Sequence, residues 1–263
     1  MLTFAAITPH PPILIPAIGR ENTKRIKKTA EAMEELEKKI FAAKPDTIII
    51  ISPHGALLPD AFSINLNPDY ASNLEEFGDF STKIKFKTNT ALAFHIKELM
   101  EDKNIPLTLT SNEFLDHGAV VPLYFLTKNL PNVSVLPLGY SLLDFKTHFN
   151  FGDILKEIIL NEDKKIAVIA SGDLSHHLTK DAPAGYSPRG KEFDDKLTEL
   201  IANKNTAGIL KLDADLVEKA GECGLRSILI LLGLLERINY VPEILSYEGP
   251  FGVGYLVANF KLE

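Results

Sequence analysis

Thr47-Ile48-Ile49-Ile50-Ile51, followed by Ser52-Pro53-His54-Gly55, is the stretch that decides how this chain reads. Five β-branched residues in succession leave no polar face. That is the pattern of a strand buried on both sides, as in a parallel sheet covered by helices. The run stops at a proline, and a histidine stands just beyond it.

Working outward, Leu2–Ile7 is a second apolar run and ends in Thr8-Pro9-His10. Residues 20–43 carry Ile26, Ala30, Met33, Leu36, Ile40 and Phe41 at near-helical spacing among charges, which predicts a helix. Further strands are expected at Thr82–Phe86, Leu107–Leu109, Val133–Leu138, Ile166–Ala170, Glu243–Tyr247 and Val253–Phe260. Helices are expected at Thr90–Met100, Val120–Leu126, Phe151–Leu160, Gly190–Ala202, Asp213–Ala220 and Leu225–Arg237. The alternation predicts an α/β fold: one domain over residues 1–263, with a central mixed, largely parallel sheet flanked by helices. Gly55–Ser81 and Thr179–Arg189 read as long irregular connections of the kind that form lids.

Composition narrows the function classes. The chain has 263 residues, 45% hydrophobic and 24% charged, enough apolar content for a sizeable core and too much for disorder. One cysteine excludes a disulfide framework and a cysteine-rich zinc site, and suits a reducing compartment. A formal net charge of −7 argues against nucleic acid as a partner, because phosphate binding needs a basic face. The longest apolar run, Ser227 to Leu235, is too short for a membrane span, and the N-terminus lacks a basic region before its apolar residues. A cytoplasmic protein is expected. No GxGxxG after a strand, P-loop, HExxH or GxSxG is present, and Ser171, Asp173 and His176 lie too close along one turn for an ordinary hydrolase triad.

The seven histidines carry the information. His10 and His54 each close a Ser/Thr-Pro-His triplet after an apolar strand. His176 and His177 follow Ile166–Ala170 across Ser171-Gly172-Asp173-Leu174-Ser175, and His117 stands in Asp116-His117-Gly118 before a helix. Ligands of open α/β sheets bind beyond the carboxyl ends of the strands. One histidine there is ordinarily a solvated residue; four segments repeating the placement point to a built site. His95, inside a helical pattern, and His148, in a polar segment, take the ordinary reading. Two histidines from different strand ends plus one carboxylate form the open triad of non-haem Fe(II) sites. Glu222, between two helices, and Glu248, after a strand, are the carboxylates placed to complete it, although a single glutamate is usually a surface charge.

Taken in order, Thr8-Pro9-His10-Pro11-Pro12, Ser52-Pro53-His54-Gly55, Asp116-His117-Gly118, Ser171-Gly172-Asp173-Leu174-Ser175-His176 and Glu222-Cys223-Gly224 resemble the class III extradiol ring-cleavage dioxygenases. The similarity spans the whole chain and is nearest to the Memo-like, AMMECR-associated branch. It implies ring cleavage of a small catechol-type diol with O2, using Fe(II), or zinc or another divalent metal. It assigns His10, His54 and Glu222 to the metal, His176 to acid/base work and His117 to contact with substrate. In Memo-like proteins a cysteine fills the third metal position, which makes Cys223 the alternative to Glu222 and leaves a metal-binding or accessory protein without ring cleavage as the second reading. The resemblance also implies a homodimer or an AMMECR-type partner.

Overall fold

A computed structural model describes residues 1–263. Its strands, in chain order, are β1 Leu2–Thr8, β2 Thr47–Ser52, β3 Phe62–Asn65, β4 Asp69–Ser72, β5 Lys85–Lys87, β6 Leu107–Thr110, β7 Phe114–Leu115, β8 Ser134–Gly139, β9 Ile166–Ser171, β10 Tyr240–Glu248 and β11 Tyr255–Leu262. The helices are α1 Pro16–Gly19, α2 Lys27–Ala43, α3 Thr90–Asp102, α4 His117–Leu126, α5 Phe145–Asn161, α6 Pro188–Ala202, α7 Thr206–Ile209, α8 Ala214–Ala220 and α9 Leu225–Leu234.

Eight strands form one mixed sheet in the order β10-β11-β1-β9-β2-β8-β3-β6. Its centre is parallel: β9 lies between β1 and β2, and β8 lies on the far side of β2. The isoleucine run of β2 explains why. Ile48 and Ile50 enter a core with α2 and α4, whereas Ile49 and Ile51 enter the opposite core with α3, α5, α6 and α9. All four are fully buried, and each contributes on the order of 1.5–3 kcal/mol. A polar residue at any of the four would be stranded on one face or the other, so the strand is β-branched throughout.

The parallel arrangement has a functional consequence. β1, β2 and β9 end side by side at Thr8, Ser52 and Ser171. The residues that follow, Pro9-His10, Pro53-His54 and Gly172-Asp173, are therefore delivered to one edge of the sheet.

The structure departs from the expected elements in several places. Gly55–Ser81 is not irregular: β3 joins the main sheet, and β4 forms a small sheet with β5 and β7. β3 and β4 are short and bracketed by prolines, so neither shows a readable period. The helix expected over 20–43 starts as a 3-10 segment, Arg20–Ile26, because Arg20 sits at φ 48° after α1; the α-helix begins at Lys27. α5 begins at Phe145 rather than Phe151, capped by the Asp144 side chain accepting from the Thr147 amide. α4 begins at His117, with Asp116 as its cap. The strand expected over Thr82–Phe86 forms at Lys85–Lys87. No helix is long and apolar enough to cross a membrane.

Candidate metal centre

His10 is buried at the exit of β1, and its backbone amide donates to Asp173 Oδ1 at 2.9 Å. Its ring is held from behind. Ser171 Oγ donates to the Gly118 carbonyl at 2.5 Å, which uses the only hydroxyl proton. The same oxygen lies 2.9 Å from His10 Nδ1, so it accepts from Nδ1–H. The lone pair of His10 is thereby placed on Nε2, which faces His54 Nε2 at 3.1 Å. Two imidazole nitrogens brought this close suit one shared cation.

The third donor comes from the turn before α9. Gly172, just after β9, packs so tightly on Gly224 that a Cβ at Gly172 would lie 2.1 Å from the Gly224 Cα. This close approach pins the Cys223 amide to the Asp173 carbonyl at 3.3 Å and leaves Sγ 3.7 Å from His10 Nε2. One donor atom from each of His10, His54 and Cys223 falls within 4.8 Å of the others.

The electrostatics of the set leave its donors uncharged. Burial, then the rings of His54, His117 and His176, holds His10 well below the usual imidazole range, so it is neutral at pH 7 and has a lone pair to offer. Partial desolvation also lowers His54, His117 and His176. The Cys223 thiol is pushed well up by burial and by the nearby Asp173 and Glu222 carboxyls. A buried thiol in that setting becomes a thiolate only beside a strong positive charge. Two nitrogens and one sulfur fit zinc, iron or copper rather than magnesium or calcium.

Glu222 does not join the two histidines. Its carboxylate turns back to the start of α9 and accepts the Leu225 amide at 2.5 Å, where Gly224 has no side chain to cap the helix. Burial raises Glu222 to about 7. Cys223, the other candidate in this turn, is the one whose side chain comes within reach of the two histidines. Glu248 is not among the converging donors and accepts from the amide and hydroxyl of Thr29.

Two further histidines surround the three donors. His117 stacks on His54 with ring centroids 4.3 Å apart and meets Phe77 edge-on at 5.1 Å. His176 is half-buried, and its Nδ1 is enclosed without a hydrogen-bond partner. The adjacent His177 turns away, with Nδ1 3.2 Å from the Gly185 carbonyl. His148 is a satisfied core residue within α5, bonded to the Asp144 carbonyl, and His95 is exposed beside Glu162. Asp173 is the residue that sequence reasoning undervalued. Its Oδ2 lies 3.9 Å from His10 Nε2, and burial raises it to about 7. Its place in the turn between β9 and His176 was the available signal.

Known proteins resemble this chain along most of its length. Residues 4–258 match the family described as the catalytic LigB subunit of aromatic ring-opening dioxygenase. Protein CA_C1420 of Clostridium acetobutylicum is 37% identical over 266 residues, which cover 98% of this chain and 56% of that protein; the chain thus spans little more than half of its length. The 4,5-DOPA dioxygenase extradiol of Beta vulgaris is 28% identical over 197 residues, covering 72% of this chain and 70% of the relative. The crystal structure of uncharacterized protein JW3007 from Escherichia coli K12 shares the fold, with a TM-score of 0.64 at 16% identity over 98% of this chain and 99% of that one.

Proposed function

The chain belongs to the family of the catalytic LigB subunit of aromatic ring-opening dioxygenase, and on that premise we propose that it opens the ring of a small catechol-type diol with O2 at a metal held by His10, His54 and Cys223. One observation carries the reading: the three donor atoms lie within 4.8 Å of one another at the carboxyl edge of the sheet. The metal, when bound, supplies Lewis-acid activation of the diol and the redox partner for O2.

The protein's own residues do the rest. His10 and Cys223 are anchored by backbone and Ser171 contacts, so their donor atoms are held in place before anything binds. His54 is exposed and leaves one side of the centre open to substrate. His176 is kept neutral by burial, so its imidazole would take the proton that a diol hydroxyl releases and return it as the product leaves. His117, stacked on His54, would hydrogen-bond a diol oxygen.

Cys223 also favours a second reading, a metal-binding or accessory protein without ring cleavage, because a thiolate makes the centre softer than a carboxylate would. Purification without oxygen, metal analysis and assay of the loaded protein with catechol, protocatechuate and DOPA decides between them. A yellow ring-opened product is expected with Fe(II). Tight metal binding with no diol turnover under any divalent metal would overturn ring cleavage in favour of the second reading.

A further inference from the structure

A cavity of about 210 Å³ lies against the candidate centre and shares His54 with it. Seven of its fourteen lining residues carry polar side chains, and none is a lysine or arginine. Most of this polarity is already spent. Ser63 Oγ donates to the Ala56 carbonyl at 2.7 Å, and the Asn65 amide bonds the backbone of Asn112 through both Nδ2 and Oδ1.

Asp116 is different. Its Oδ1 accepts from both Ser52 Oγ and the Ala119 amide, while Oδ2 takes no hydrogen bond. The neighbouring Gly55 leaves that oxygen accessible, since even an added Cβ there would approach it only to 3.6 Å. The wall beside His54 therefore offers a carboxylate oxygen as an acceptor and no cation.

We propose that this cavity receives the ring substituent of the bound diol and selects substituents that carry a hydrogen-bond donor, an ammonium or hydroxyl group, while rejecting carboxylates. The inference rests on the diol-cleaving reading of the site and names the substrate class within it. A carboxylate entering the cavity gives up its hydration, meets no lysine or arginine on the wall and faces Asp116. An ammonium or hydroxyl group gives up the same water and gains the free oxygen.

The test is binding of dopamine, 4-methylcatechol and 3,4-dihydroxyphenylacetate to the metal-loaded protein without oxygen, followed by calorimetry. Dopamine is expected to bind at least about tenfold tighter than the acid, a difference of about 1.4 kcal/mol, with 4-methylcatechol between them. Asp116→Asn keeps the helix cap and the acceptor for Ser52 while removing the charge, and should erase most of the dopamine advantage. Asn112→Lys, at an exposed position on the cavity wall, should tighten binding of the acid. Diols that bind with the acid equal to or tighter than the amine would overturn the inference and leave the diol reading standing. Failure of all three diols to bind the loaded protein would overturn both.

Discussion

Ser171 Oγ stands 2.9 Å from His10 Nδ1 and 2.5 Å from the Gly118 carbonyl, so one hydroxyl joins the end of β9 to the exit of β1 and the start of α4. The hydroxyl decides which nitrogen of His10 carries the proton. Without it, nothing directs the lone pair to Nε2, where His54 and Cys223 converge.

Ser171→Ala should therefore weaken divalent-metal affinity by about 10–100-fold, the usual cost of removing a hydrogen bond behind a ligating histidine. Chelator competition measures the affinity, and ¹⁵N spectroscopy of the metal-free protein reports the His10 tautomer. A tautomer unchanged from wild type would sink the explanation even if affinity fell.

The assignment of the third ligand is tested by a pair of variants. Cys223→Ser should cost more metal affinity than Ser171→Ala, exceeding about 100-fold, and should abolish sulfur-to-metal charge-transfer absorption in the cobalt or copper form. Glu222→Gln should leave both properties close to wild type, because that carboxylate is engaged with the Leu225 amide. The reverse pattern would return Glu222 to the metal.

How much of this was legible beforehand follows from what a sequence encodes locally. The isoleucine run of β2 declared a strand buried on both faces, and the Ser/Thr-Pro-His triplets declared where β1 and β2 end, because these signals lie within a few adjacent residues. Their convergence required only that the strands be parallel. Glu222 and Cys223 could not be separated, since both stand in the same turn and the choice depends on Gly172 meeting Gly224 from fifty residues away. β3 and β4 were hidden for a related reason: four-residue strands take their stability from partners distant in sequence. Asp173 was passed over because its importance lies in its 3.9 Å approach to His10.

The raised pKa of Glu222 gives a stability signature in the metal-free protein. Its folded value of about 7 lies above the ordinary carboxyl value of 4.5, so the native state holds this proton more tightly than the unfolded chain. Its contribution is then fully present below pH 4.5 and is lost as pH rises through about 7. Glu222→Gln has no proton to lose. Relative to the variant, wild type should become less stable between those limits, by on the order of 1–3 kcal/mol. Urea unfolding at a series of pH values with chelator present measures the difference, and parallel curves would show that Glu222 ionises normally.

Gly172→Ala tests whether the close backbone approach is what presents the thiol. The added Cβ would fall 2.1 Å from the Gly224 Cα, where only backbone can yield. Separating the two segments should cost about 1–3 kcal/mol, the range for overpacking. It should also stretch the 3.3 Å bond from the Cys223 amide to the Asp173 carbonyl and carry Sγ away from His10. The variant should then retain two-histidine binding of metal while losing sulfur-to-metal charge transfer, unlike a variant that is only less stable. Gly224→Ala is the control from the other side of the contact: its Cβ would meet atoms at 3.1 Å, so the displacement and the spectral loss should both be smaller. If Gly172→Ala keeps the full thiolate spectrum at a temperature where it remains folded, the turn does not depend on this contact.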